Sequence, residues 1–425
     1  MVPKLFSMMK GNELTKDQIG KDIVAGIIVA IIALPLSIAL AISSGVSPEK
    51  GLITAIIAGF IISFLGGSKV QIGGPTGAFV VIVYGIVQSH GINGLITATM
   101  MAGIILVIMG LLRLGSLIKY VPQTITVGFT SGIAVTLLST QLKDFLGLQI
   151  NNTPAEFIEK WICYFEHIST FDLLAFVIGV GCILILLFWP KVNKKIPASI
   201  IALAVATIVV KVFNLPVETI GSRFSNISST IPMPTIPKMD MSTIVSLIQP
   251  AFTIAILGAV ESLLSCVVAD KMIDDTHNSN SELVAQGLGN IASALFGGIP
   301  ATGAIARTAA NVRNGGRSPI SGMVHAITLL FIMVLLMPLA KMIPMTALAA
   351  ILMVVSYNMG EWSHFIDMLK GNKGEVIVLV ATFVITIVSD LVVAIIVGMI
   401  IHGIVTLINN KRNKTDLEID TAIAE

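Results

Sequence analysis

The chain has 425 residues, of which 55% are hydrophobic and only 12% charged, with 26 Lys and Arg against 24 Asp and Glu for a net charge of +2. Water-soluble domains carry about 25% charged residues, so this balance excludes an ordinary soluble globular protein. A near-neutral charge, with no basic patch interleaved with aromatics, gives nucleic acid no support as a partner.

The charges cluster between long apolar runs. Segment 1 spans 22–43, contains Pro35 and follows Lys16 and Lys21. It is longer than the roughly 7–15 residues of a signal-peptide apolar region, and many spans follow it, so it reads as the first membrane helix. Segment 2 spans 51–65, segment 3 is short at 76–88, segment 4 spans 91–112 and segment 5 spans 122–142. After a polar loop at 143–170 come segment 6 at 171–189, a basic turn at 191–195 and segment 7 at 197–213. A Ser/Thr/Pro-rich connection at 214–242 separates the halves. The second half repeats the rhythm, with segment 8 at 244–268, segment 9 at 281–296, a short segment 10 at 302–312, and segment 11 at 320–337. Segments 12, 13 and 14 follow at 345–357, 375–388 and 391–409. The runs over 23–42, 91–112, 171–189 and 391–408 reach the roughly 20 residues that cross a hydrocarbon core.

The predicted fold is therefore an all-α polytopic membrane protein with fourteen segments. Seven per half is an odd number, so the halves enter the membrane in opposite directions as an inverted repeat. With the N-terminus placed in the cytoplasm, Lys and Arg concentrate on the cytoplasmic side, as the positive-inside rule requires. Both termini are then cytoplasmic, in a multi-pass protein of a bacterial inner membrane.

Segments 3 and 10 open on matching breaks. The first reads Gly73-Gly74-Pro75-Thr76-Gly77-Ala78 and the second Gly297-Gly298-Ile299-Pro300-Ala301-Thr302-Gly303-Ala304. Proline suits a first helical turn and glycine admits close approach, so each segment reads as a half-helix that begins part-way through the membrane. Its first N–H groups lack intrahelical partners. An inverted repeat points the two N-termini at one another, and their positive dipole ends favour an anion. A single break would read as tight helix packing; the matched pair reads as a binding site.

Arg307 lies one turn into segment 10. An intramembrane arginine costs at least ~2.5–3.5 kcal/mol on insertion scales, and such residues line pathways or pair with a partner. The alternative is a structural ion pair or a side chain reaching toward the cytoplasm. Glu261, midway along segment 8, is expected to be the only carboxylate deep inside a span. It is either a proton carrier or the partner of Arg307 in a buried salt bridge. Asp390, His325 and His402 are weaker candidates. Asp270–Asp275 reads as a solvated cytoplasmic loop and Glu361–Phe365 as a short interfacial helix. Cys163, Cys182 and Cys266 are scattered and read as inert. No catalytic group, metal cluster or cofactor motif stands out, so an enzyme is disfavoured and no metal or cofactor is expected.

Gly66-Gly67-Ser68-Lys69-Val70-Gln71 with Gly74-Pro75-Thr76, and His277-Asn278-Ser279-Asn280-Ser281-Glu282-Leu283 through Gly289-Asn290, resemble signatures of the SulP (sulfate permease) family of anion transporters. The resemblance covers about 21–409. It implies a fold similar to the nucleobase–cation symporters, in which a core domain moves against a gate domain like an elevator. The implied division is a cytoplasmic N-terminus at 1–21, segments 1–5 at 22–142 (1–4 core, 5 gate) and gate segments 6–7 with their loops at 143–243. Core segments 8–11 follow at 244–340, gate segments 12–14 at 341–409 and a short tail at 410–425. Members often end in a STAS domain, for which that tail is too short.

By the same resemblance the anion sits near Thr76, Gly77, Ala78, Gly303 and Ala304, with Arg307 beside it. Glu261 and Ser265 match cation-coupling positions. Sodium-coupled bicarbonate members carry Asp, Thr and Thr where this chain has Glu261, Ser265 and Ile305. A hard cation wants several oxygen ligands, so the loss of a hydroxyl at Ile305 favours proton over sodium. Nucleobase carriers place an acid on segment 10 where this chain has none. The expectation is proton-coupled symport of sulfate, with bicarbonate or a C4-dicarboxylate as alternative substrates and an uncoupled exchanger or channel as the alternative mechanism. The lipid bilayer and a second copy of the chain are its other candidate partners.

Overall fold

The structure, a computed structural model, describes residues 2–116, 122–193, 196–237, 240–389 and 393–408. Asp390, part of the basic turn at 191–195 and the tail at 410–425 lie outside the described residues.

A short amphipathic helix, α1 (Lys4–Lys10), precedes the first span and buries Leu5 and Met8. Its Lys4 side chain donates to the Thr276 carbonyl at 2.7 Å and pairs with Asp275 at 3.1 Å. Lys69 also reaches Asp275, at 3.6 Å. Burial alone would raise the Asp275 carboxyl, but the Thr276 N–H, Lys4 and Lys69 outweigh it and hold the group below its ordinary value. The acidic run expected to be merely solvated is thus partly tied down, and Asp270 accepts from His277 Nδ1 at 2.6 Å.

Helix α2 (Lys16–Ser43) starts where the Thr15 hydroxyl accepts from Gln18 N–H, and α3 (Pro48–Leu65) starts with proline in its first turn. Strand β1 (Gly73–Gly74) and a 3₁₀ turn (Gly77–Phe79) lead into α4 (Val80–Leu111). Segments 3 and 4 are the two pieces of this run, broken at Gly91 with φ +65°. Next come α5 (Gln123–Phe145), α6 (Phe157–Glu166), α7 (Leu173–Val192), α8 (Ala198–Val212) and the single turn α9 (Ile220–Arg223). The second half contains α10 (Met241–Ile273), α11 (Ser279–Leu295), strand β2 (Thr302–Gly303), α12 (Ile305–Arg313) and α13 (Ile320–Ala340). It closes with α14 (Met345–Met359), α15 (Trp362–Leu369), α16 (Lys373–Val388) and α17 (Val393–Ile408). The expected interfacial helix is α15, which buries none of its residues.

Among the described residues seven helices are long and apolar enough to cross a membrane, with α8 and α17 as shorter apolar helices. Two packing groups emerge. Helix α4 lies against α10 and α11, α13 against α2 and α3, and α12 against α10 and α2. Separately, α5 lies against α14 and α16, and α7 against α8 and α14. Lipid gives apolar side chains no reason to associate, so close backbone approach through small residues carries much of this packing. A Cβ on Gly103 would stand 2.7 Å from the Gly287 carbonyl, and one on Gly287 2.5 Å from the Gly103 carbonyl. This reciprocal contact locks α4 to α11.

Glu261, half-buried on α10, is not the only carboxylate drawn into the helices. Asp22 and Glu282 are both fully buried, near the ends of α2 and α11. Asp22 accepts from Arg317 N–H at 2.7 Å and from the Ser318 hydroxyl at 2.6 Å. Both lie near predicted segment ends, where pattern alone does not separate a buried acid from an interfacial one.

Candidate functional site

The two breaks meet. Strands β1 and β2 pair antiparallel with Gly73 opposite Gly303 and Gly74 opposite Thr302, and Ala304 N–H donates to the Ile72 carbonyl at 2.9 Å. The helical turns that follow each strand therefore begin on either side of one crossing. Thr76 precedes the first turn in an extended conformation, with φ −129° and ψ 162°, and Ala304 precedes α12. Neither residue caps its helix through a side chain. The leading N–H groups of both turns thus retain their partial positive charge. Ala304 N–H is spent on the ladder, so on the α12 side the leading donors are those of Ile305 and Ala306.

Both threonines of the matching triplets turn back to α10. The Thr76 hydroxyl donates to Glu261 Oε2 at 2.8 Å, and the Thr302 hydroxyl donates to the Gly258 carbonyl at 2.8 Å. Thr76 is half-buried and keeps acceptor capacity, whereas Thr302 is fully buried. Gly77 and Ala78 are buried, and a Cβ on Gly77 would stand 2.6 Å from Leu137 of α5 and 3.7 Å from Met359 of α14. Gly303 allows Gln71 to approach, because a Cβ there would meet Gln71 Nε2 at 2.0 Å.

Arg307 does not line an open cavity. Its side chain is 4% exposed and lies against the other break, where Nη2 donates to the Pro75 carbonyl. A Cβ on Gly74 would stand 2.5 Å from Arg307 Nη1. Among the described residues no salt bridge joins Arg307 to Glu261; the polar contact of Glu261 is Thr76. The exposed face of the first α12 turn belongs instead to Ile305 and Ala306. Ser265, one turn beyond Glu261, is fully buried and donates to the Thr308 hydroxyl at 3.4 Å. The Thr308 oxygen also accepts from Ile72 N–H at 3.0 Å, which ties α10 and α12 to the residue before β1. His325 is fully buried, and His402 is half-buried on α17.

Residues that sequence reasoning did not single out hold the crossing in place. Glu282 accepts from Gly67 N–H at 2.9 Å, Gln71 Nε2 at 2.9 Å and Gln286 Nε2 at 2.8 Å. Cys266 Sγ donates to Gln71 Oε1 at 2.8 Å. Eight residues further along α11, Asn290 donates to the Ala301 carbonyl at 2.8 Å and accepts from Ala301 N–H at 2.9 Å. Thr54 of α3 accepts from Ile299 N–H at 2.7 Å. The spacing of Glu282, Gln286 and Asn290, every fourth residue on one face, was the sequence signal for these supports. The two glycine- and asparagine-bearing motifs also touch each other, since Asn278 N–H donates to the Gly67 carbonyl at 2.9 Å.

Long apolar helices around a crossed pair of broken segments define a multi-pass membrane transporter. The model of the sulfate permease family matches residues 19–382, and the chain belongs to that family. It is 45% identical over 380 residues to a Bacillus subtilis (strain 168) protein named as sulfate transporter YvdB, covering 89% of this chain and 71% of that one. It is 33% identical over 369 residues to the bicarbonate transporter BicA of Picosynechococcus sp., covering 83% of this chain and 64% of that one. Among solved structures, the transmembrane domain of a cyanobacterium bicarbonate transporter BicA matches with TM-score 0.82 and 30% identity, over 90% of this chain and 98% of that one. The overall structure of SLC26A9 shares the fold, with TM-score 0.87 at 19% identity over 95% of this chain and 68% of that one. The chain is thus a homologue of anion transporters, and the family consists of transporters, not enzymes.

Proposed function

We propose that this chain is a secondary active transporter that carries sulfate together with a proton across a bacterial inner membrane. The observation that supports it most is the β1–β2 crossing, where two helix starts without side-chain caps lie beside a buried arginine that makes no salt bridge among the described residues. Such a place favours a small anion, and fixed dipoles favour anions generally, so bicarbonate and a C4-dicarboxylate remain the alternative substrates. In this reading Thr76, Gly77, Ala78, Gly303 and Ala304 surround the anion, and Arg307 supplies charge from behind the strand.

Glu261 is the proposed proton carrier, since Thr76 ties it directly to the anion-binding turn. Sodium is a poorer fit: Ile305 presents an exposed alkyl side chain, and the Ser265 hydroxyl is bonded to Thr308. The proposed topology has fourteen segments in a seven-plus-seven inverted repeat, with both termini cytoplasmic. Here α2, α3, α4 and α10–α13 form the core, and α5, α7, α8, α14, α16 and α17 form the gate. The two packing groups support an elevator-like movement of one against the other. The Thr76–Glu261 bond equally fits a second reading, an uncoupled exchanger or channel in which Glu261 is a structural tie.

Purified protein in liposomes tests these readings, with labelled sulfate competed by bicarbonate, fumarate, chloride and nitrate. Saturable uptake driven by an imposed pH gradient is expected. A Glu261→Gln variant that still accumulates sulfate against its gradient would remove the coupling role, and large non-saturating conductance would establish a channel.

A further inference from the structure

Three buried nitrogens lie around strand β1 with no hydrogen-bond partner among the described residues: Arg307 Nη1 and both ring nitrogens of His325. His325, on α13, is 0% exposed. Glycines place both side chains against the strand. A Cβ on Gly59 would stand 3.1 Å from the Gly73 carbonyl and 3.9 Å from His325 Nδ1, so the absence of a side chain there keeps that corner open. At the next residue, Gly74 admits Arg307. In the antiparallel ladder the Ile72–Ala304 and Gly74–Thr302 pairs carry the hydrogen bonds, which turns the Gly73 carbonyl away from β2.

These groups are chemically complementary to one small ligand. Arg307 Nη1 can only donate, the Gly73 carbonyl can only accept, and a neutral imidazole offers one nitrogen of each kind. Among the described residues no direct bond joins the two side chains, and an intermediary that both accepts and donates would serve Arg307 Nη1, a ring nitrogen of His325 and the Gly73 carbonyl together. Buried polar groups in native proteins are almost always paired, and an enclosed water typically makes two to four bonds to such groups. We propose that a single water is bound between Arg307 Nη1, His325 and the Gly73 carbonyl, and that His325 is the positioning residue that holds the Arg307 guanidinium on the Pro75 carbonyl. Packing of α13 against α3 does not by itself require a histidine, since a leucine has similar bulk.

The transport part of this proposal rests on the anion-site reading above; the structural part does not. The test combines a high-resolution structure of the purified protein with sulfate uptake by His325→Leu, His325→Asn, His325→Gln and Gly59→Ala variants in liposomes. Expected are density for one water within hydrogen-bond distance of Arg307 Nη1 and His325, and loss of the Arg307–Pro75 contact in the leucine variant. The KM for sulfate should rise roughly 3- to 10-fold in His325→Leu, the loss of one neutral hydrogen bond. Gly59→Ala, which fills the corner with a methyl group, should raise it similarly. Vmax should stay within about 2-fold, and Asn or Gln should restore KM because each again bonds to water. Absence of the water, a wild-type KM in His325→Leu, or Asn and Gln variants as impaired as Leu overturns the proposal. If wild-type protein carries none of the anions offered, the functional reading fails, while the density and the seat of Arg307 in the leucine variant still decide this one.

Discussion

Gly74→Ala is expected to damage the site through geometry alone. Gly74 has φ +151°, in a region that residues with a Cβ rarely adopt, and its missing side chain is where Arg307 Nη1 lies, 2.5 Å from the position of a Cβ. The backbone change costs of order 1–3 kcal/mol. A displaced guanidinium loses a hydrogen bond to the Pro75 carbonyl, and bonds to charged groups contribute about 1.5–3 kcal/mol. The sum, roughly 2.5–6 kcal/mol, is a large part of the 5–15 kcal/mol typical of native stability. If Arg307 acts on the anion from this seat, losing about 2 kcal/mol of that interaction weakens binding roughly 30-fold. Gly85→Ala is the control, because a Cβ there meets nothing within 4 Å and its helix gains propensity, up to about 1 kcal/mol. Thermal melts in detergent and sulfate titrations of both variants check the argument. Gly74→Ala melting and binding like wild type, or Gly85→Ala losing as much, would refute it.

Thr76→Val keeps the shape of the side chain but removes the donor to Glu261, so sulfate uptake efficiency should fall about 10- to 100-fold, the equivalent of a charge-assisted bond, while Thr76→Ser retains most of it; equal loss in both variants would count against the hydroxyl. Glu282→Gln puts an NH₂ group among three donors and should lower the melting temperature with a loss of at least about 1–3 kcal/mol, read by thermal shift. Lys160, 4% exposed on α6, is pushed down by burial to about 8. Its ordinary value is about 10.4, so below pH 8 the folded loop carries the full burden of the buried charge, of order 3 kcal/mol, and rising pH from 8 to 10.4 relieves it. Amide exchange in α6, corrected for intrinsic rate, should therefore slow over that range, and Lys160→Met should abolish the dependence.

Seven long apolar helices were legible because apolar length is nearly sufficient to specify a membrane helix. The matched breaks were legible because Gly, Pro and the repeated Thr-Gly-Ala are local in sequence. Their pairing was not. The two triplets align by residue type, but the strands meet antiparallel, with Gly74 opposite Thr302, so the threonines occupy different places at the crossing. Arg307 was found, yet its direction depended on the missing side chain of Gly74 in the other half of the chain. The role of Glu282 is not legible in its own stretch of sequence, because two of its three donors, Gly67 and Gln71, come from the distant loop before β1. Helix α1 is not legible in the sequence, because seven residues are too few for apolar periodicity to stand out.

Helix α11 gives the crossing its rigidity. Its first turn carries Glu282, which holds the loop before β1, and its fourth carries Asn290, which holds the residue before β2. Both breaks therefore hang from one helix, and that helix is locked to α4 through Gly103 and Gly287. A displacement of α11 relative to α5 and α14 would carry both helix starts and Arg307 with it, leaving their mutual geometry unchanged. What would change is the cover, because Leu137 of α5 and Met359 of α14 are the side chains that close over Gly77. A site that travels whole while its apolar lid is exchanged needs no rearrangement of its own polar contacts. In the elevator reading proposed above, that would be the physical advantage of building the two breaks from opposite halves of the chain and pinning both to one helix.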